Sequence, residues 1–276
     1  MEIKPIARFR APFPEKFGIP RQAGLVPGLR GSIVFEPEYR SLDALRGLEG
    51  FDYLWLIWEF SGNRRVTGAA SLDGETTATL GTFRGGAGAS LRDVSGGAER
   101  SEAVEPPELA APARFQATVR PPRLGGNARI GVFASRSPFR PNPLGLSSVR
   151  LESIDYEAMG PDGKPIGPVI NVFGADLMDG TPIYDIKPYV EYADSHPGVR
   201  SGFVDSTVWE PLEVEFPDGA GESGLDLDTL RDVLSQDPRP RYQEDADKEY
   251  GMAFAGHQVR FKVDGKFLRV ISITRD

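Results

Sequence analysis

Tyr53-Leu-Trp-Leu-Ile-Trp58 is a continuous apolar and aromatic run of strand length, which predicts a strand buried on both faces at the centre of a core. It lies within a strand-like stretch over 52–60, preceded by strand-like segments at 3–9 and 32–35 and a short helix around 42–48. Beyond it the character changes. Of the 53 residues from Ser61 to Ala113, 29 are Gly, Ala, Ser or Thr, and no period persists, so a long mobile surface insertion is expected at about 62–113. Order returns with short β-rich segments at 114–120, 130–134, 146–156 and 169–173, bounded by Gly, Pro or Asn. Their spacing indicates an all-β unit, and closing it into a barrel would leave no unpaired edge. After Pro197-Gly198 comes a compact tail, with a strand at 208–216, a helix over 227–235 carrying Leu227, Leu230 and Leu234 on one face, and strands at 258–263 and 267–273 joined by Asp264-Gly265. The fold class read from these signals is mainly β: an N-terminal β-barrel domain over 1–204 and a small α+β C-terminal domain over 205–276.

Composition narrows the chemistry. At 276 residues, 39% hydrophobic and 26% charged, the chain suits a globular protein of roughly two domains. Its 32 glycines and 24 prolines, about a fifth of the chain, favour turns and short strands over long helices. With no cysteine, disulfides, thiolate nucleophiles and cysteine-ligated metals are excluded, and His196 and His257 are the only histidines. No apolar run approaches the roughly 18 residues of a membrane span, and no signal-peptide pattern opens the chain, so a cytoplasmic protein without membrane or metal is expected.

The net charge of −8 is unevenly distributed. Residues 113–150 carry seven arginines and no acidic residue, whereas 205–250 carry fourteen acidic residues and four basic ones. Arginine without lysine points to planar, bidentate contacts with phosphate or carboxylate. Gly219-Ala-Gly-Glu-Ser-Gly224 has the GxGxxG spacing, yet the preceding strand alternates apolar with acidic residues and too little chain follows for a dinucleotide fold, so it reads as a loop.

Two stretches concentrate candidate function. Ser135-Arg-Ser-Pro-Phe-Arg-Pro-Asn-Pro-Leu-Gly145 sets Arg136, Arg140 and Asn142 on a proline-stiffened loop, the kind of preorganised segment on which binding residues sit. Between Ala175 and Tyr189 lie Asp176, Asp179 and Asp185, carboxylates that could bind a cation, satisfy backbone N–H groups, or hydrogen-bond ribose hydroxyls and accept a proton; Asp179 precedes Gly180 and reads as a turn residue, which leaves Asp176 and Asp185 as the better functional candidates.

Those strings, together with Glu15-Lys-Phe-Gly-Ile-Pro-Arg-Gln22, Arg120-Pro-Pro-Arg-Leu-Gly-Gly-Asn127, Asp179-Gly-Thr-Pro182, Asp185-Ile-Lys-Pro-Tyr189 and Gln236-Asp-Pro-Arg-Pro240, resemble the TrmO (YaeB/TsaA-like) tRNA methyltransferases over about 1–60 and 114–273. The resemblance implies an S-adenosylmethionine-dependent enzyme with a β-barrel N-terminal domain, working as a homodimer, that methylates N6 of threonylcarbamoyladenosine beside the anticodon of threonine tRNA. Carried over by position, the cofactor would lie among Pro20, Arg21, Gln22, Ser61, Gly62, Arg136, Leu146, Phe173, Gly174, Ala175 and Asp176. Ser61-Gly62 stands where the family's bacterial members carry a His-Gln type pair, and the insertion begins there. Asp176 or Asp185 would accept the proton, with Arg140 and Asn142 beside them, and Phe173 and Phe139 could cradle the sulfonium. Arg120, Arg123, Arg129 and Arg239 would meet tRNA. Methyl transfer to a small molecule and a non-catalytic RNA-binding barrel stay open as alternatives.

Overall fold

The structure, a computed structural model, describes residues 2–61, 116–121, 128–207, 209–239 and 245–276, all within one compact unit. The expected insertion at 62–113, Gly62 included, falls outside the described residues, and so does the tRNA-binding candidate Arg123.

Six strands pair on both sides: β1 (Ala7–Arg10), β2 (Arg30–Phe35), β3 (Tyr53–Glu59), β6 (Leu144–Asp155), β7 (Val169–Phe173) and β8 (Pro182–Pro188), numbered with two short strands, β4 (Thr118–Val119) and β5 (Ile130–Gly131), that pair only with each other. The order is β1-β2-β7-β6-β3-β8 and β8 returns to β1, so the sheet closes on itself. The mainly β reading holds.

Alternation fills the closed sheet. Leu54, Leu56 and Trp58 of β3 point inward with Phe9, Ile33, Val149, Ile170, Val172 and Ile183. Each such side chain contributes about 1.5–3 kcal/mol by leaving water. The expectation that β3 is buried on both faces is corrected: Tyr53 is exposed and Trp55 only half-buried, because the outer face is covered by single side chains rather than by a second layer. Trp55 donates to Asp194 Oδ2 at 3.0 Å and its ring lies 5.9 Å from that of Tyr189.

The helix expected around 42–48 is instead two 3-10 turns, Leu42–Leu45 and Leu48–Gly50, separated by Gly47 at φ +85°, a backbone state that ends a right-handed helix. Sequence reading also passed over β8, the strand that closes the sheet; prolines at both ends disguise it, although strand ends are where prolines are tolerated.

The tail forms a four-stranded sheet, order β10-β11-β12-β9, from β9 (Glu213–Glu215), β10 (Tyr250–Phe254), β11 (His257–Asp264) and β12 (Phe267–Arg275). After α1 (Glu191–Asp194), the second α-helix is α2 (Leu227–Ser235); its Leu230, Val233 and Leu234 are buried in the core shared with this sheet. The carboxylate of Asp226 accepts hydrogen bonds from the first-turn amides of Asp228 and Thr229, so the amides a phosphate would need after the GxGxxG string are already occupied. Phe13, Val26 and Leu29, from the segment between β1 and β2, belong to this second core as well.

Candidate functional site

Asp176 follows β7 and is partly buried, with its carboxyl withdrawn from water. Burial pushes its pKa above the ordinary carboxylate value; the Ser147 hydroxyl, the Ala23 amide and the Arg136 guanidinium oppose that shift. Ser147 Oγ donates to Asp176 Oδ1 at 2.5 Å and accepts from Trp58 Nε1 at 2.9 Å. Three elements therefore converge on one carboxyl: β3 through Trp58, β6 through Ser147 and the turn after β7.

The opposite wall is the segment between β1 and β2. Gly24 N–H donates to the Gly174 carbonyl at 2.8 Å, and Gly174 N–H donates to the Leu29 carbonyl at 2.8 Å, which clips this segment to the Gly174–Asp176 stretch. Gln22 Oε1 accepts from Arg136 Nη1, bringing the proline-stiffened loop to the same place. Gln22, Arg136, Gly174, Ala175 and Asp176 are thus gathered. Ser61 lies just beyond the end of β3, where Phe60 N–H donates to the Pro143 carbonyl at 2.9 Å, and Leu146 is exposed on β6.

Other expected residues are placed elsewhere. Pro20 is buried, but Arg21 turns toward the C-terminal part and donates to the carbonyls of Asp237 and Arg239 at 3.4 and 3.3 Å. It lines a cleft of about 400 Å³ between residues 16–21 and the end of α2, where Val233, Gln236 and Pro238 form the far side. Burial at this cleft lowers the Lys16 pKa.

Phe173 carries a guanidinium on its ring from each neighbouring strand, Arg150 at 4.4 Å and Arg30 at 5.2 Å, so cradling a sulfonium is an expectation the geometry corrects: cations of the chain already cover the ring. Asp185 pairs with Lys187 at 3.0 Å on the outer face of β8 and does not join Asp176. Asp179 is a turn residue, accepting from Ala11 N–H at 3.1 Å and pairing with Arg10.

Arg140 is likewise corrected as a catalytic candidate. Its guanidinium donates to the Ser135 and Val132 carbonyls at 2.6 and 3.3 Å and so holds its own loop, whose exposed Asn142 offers its carbonyl to Leu144 N–H. Arg120 and Arg129 are exposed on and beside the β4–β5 pair, Arg129 donating to Thr118 Oγ1. Arg239 does not face a phosphate: its side chain is only 12% exposed and grips Asp237 through two contacts, 2.9 and 3.1 Å. Sequence reading missed Trp58, Ser147 and Ala23; a serine at an inward register between Gly145 and Val149 was the one available signal.

The comparisons with known proteins agree with this layout. Residues 8–86 and 106–195 match the tRNA-methyltransferase O N-terminal domain, and residues 210–276 match the TrmO C-terminal domain. The chain is similar to the Escherichia coli tRNA (adenine(37)-N6)-methyltransferase, 32% identical over 282 residues covering 99% of this chain and 97% of that protein. A protein of the same name from Eikenella corrodens is 43% identical over 155 residues, covering 55% of this chain and 83% of that one. Among solved structures, TrmO from Pseudomonas aeruginosa superposes with a TM-score of 0.64 at 26% identity, covering 99% of this chain and 98% of that one. The chain belongs to the TrmO family.

Proposed function

We propose that the protein is an S-adenosylmethionine-dependent tRNA methyltransferase that methylates N6 of adenosine 37, in its threonylcarbamoyl form and in threonine tRNA. The observation that carries the reading is the withdrawn carboxyl of Asp176, held by Ser147 where the segment between β1 and β2 meets the arginine loop. The names of the relatives support it, among them a Pseudomonas aeruginosa protein, 33% identical over 260 residues, whose name proposes an S-adenosylmethionine-dependent methyltransferase.

The site residues fit such a donor by their chemistry. Arg136 suits a carboxylate, and Gln22 offers an amide beside it. When bound, the donor supplies a sulfonium methyl that passes in line to N6, the C–S pair returning to sulfur as the N–C bond forms. The chain's own part is alignment and proton removal. Asp176, as the anion, takes the N6 proton. Arg120 and Arg129 meet the tRNA backbone, and Arg123 continues the same basic stretch. The exposed Phe133, Phe139 and Leu144 form apolar surface that a second copy of a homodimer would cover.

Transfer of labelled methyl to tRNA, with mapping of the product nucleoside, tests the reading. Label at N6 of threonylcarbamoyladenosine is the expected result; label on a small molecule only, or none, overturns it.

A further inference from the structure

We propose that Ser147 is a positioning residue for the transfer step: Trp58 and Ser147 form a one-way hydrogen-bond chain that ends on Asp176 and holds its carboxyl as the proton-accepting anion. The proposal rests on reading Asp176 as the acceptor.

An indole N–H can only donate, whereas a hydroxyl carries a single hydrogen and can also accept. Trp58 Nε1 lies 2.9 Å from Ser147 Oγ, so the serine oxygen accepts there. Its hydrogen must go elsewhere, and Asp176 Oδ1 at 2.5 Å takes it. The link from Trp58 to Ser147 cannot run backwards, because the indole has nothing with which to accept, and an ionised Asp176 can only accept from the hydroxyl in its turn. A donor fixed on a carboxyl oxygen favours the charged form.

The chain is built into the inner face of the closed sheet. Ser147 is 2% exposed and Trp58 6%, so water does not compete for the hydroxyl. Gly145 faces Trp58 across the β3–β6 pair, and a Cβ there would stand 2.2 Å from the indole. The glycine leaves the space in which the indole lies with its N–H on Ser147. Of the groups acting on Asp176 from the elements around it, the Ala23 amide and the Arg136 guanidinium work in the same direction as Ser147, and burial works against all three. Asp179 is turned toward Ala11 and Arg10, and Asp185 is engaged by Lys187 on the outer face.

The test measures the Asp176 carboxyl directly, by carbon-13 NMR titration of donor-free protein, alongside the pH profile of kcat with saturating donor and tRNA. Ser147→Ala should move the Asp176 midpoint to higher pH and cost about tenfold in rate on the acidic side, while the alkaline plateau stays within a few-fold. Ser147→Thr should restore both. Trp58→Phe should shift both in the same direction by less, since the hydroxyl can still donate but is no longer compelled to; it also serves if the alanine variant folds poorly. An unmoved NMR midpoint in Ser147→Ala, or a plateau that falls with no change in the profile, overturns the chain. If the NMR midpoint moves and the rate profile does not follow, the chain stands as a structural fact and the reading of Asp176 as the proton acceptor fails.

Discussion

Asp176 and Asp185 are nine residues apart and were indistinguishable as candidates in the sequence, yet the closed sheet treats them oppositely. Asp185 stands on the outer face of β8 with Lys187 as its partner and nearly half of its side chain in water, 45%. Asp176 lies past the end of β7, where strands from two directions reach it and burial raises its pKa. A carboxyl becomes chemically distinctive through what withdraws it from water, and that depends on which strand neighbours which, not on spacing along the chain.

The largest expected effect separates the two directly. Asp176→Asn should lower kcat by about 10²–10⁴ in methylation of adenosine 37, the usual worth of a positioned acid or base. Asp185→Asn should stay within about twofold, since an exposed ion pair contributes about 0–1 kcal/mol. Comparable losses in both would erase the distinction. Ionising Asp176 works against folding: that cost is absent below the unfolded value of 3.8 and is fully present above the raised folded value. Asp176→Asn should therefore keep or raise the melting temperature at neutral pH, whereas a collapse in stability would mark the carboxylate as structural.

The pH dependence sharpens the contrast. Because the anion accepts the proton, turnover should climb as pH rises through the raised Asp176 value and fall about tenfold per unit below it. That limb should persist in Asp185→Asn. A limb lying at the ordinary carboxylate value would contradict the effect of burial.

The same contrast between placed and occupied groups recurs among the arginines. Arg136→Ala should raise the donor KM by about tenfold with little change in tRNA affinity, because it removes one charge-assisted contact at the gathered site. Arg140→Ala should instead lower the melting temperature by a few degrees through loss of its two carbonyl contacts, with donor KM kept within about twofold. Smallest of all, Arg120→Ala should weaken tRNA binding two- to threefold and reduce the slope of log affinity against log salt by about one.

What could be read from the chain alone was local. The helix Leu227–Ser235 and the strand Val169–Phe173 were legible to the residue, because leucine spacing and a short β-branched run bounded by turn residues are signals contained within the segment. The gathering of Gln22, Arg136 and Asp176 followed from resemblance rather than from any periodicity. The serine at 147 stayed hidden because its meaning depends on a register with β3 ninety residues earlier, Leu56 opposite Ser147 and Trp58 opposite Gly145. Arg239 misled for the converse reason: composition records its charge, while only the fold shows that Asp237 has already claimed it.

The segment between β1 and β2 has two allegiances. Phe13, Val26 and Leu29 root it among the side chains of the C-terminal sheet, while Gln22 meets Arg136, Ala23 meets Asp176 and Gly24 meets Gly174. The small sheet thus acts as a foundation for one wall of the site, set apart from the strands that carry the carboxyl. Damage to that foundation, such as Met252→Ala in β10, propagates along Phe13 to Leu29 and loosens the wall while the closed sheet still stands. The molecule would then lose its grip on the methyl donor before it lost its shape, and heating it slowly should extinguish donor binding at a lower temperature than the one at which the closed sheet melts.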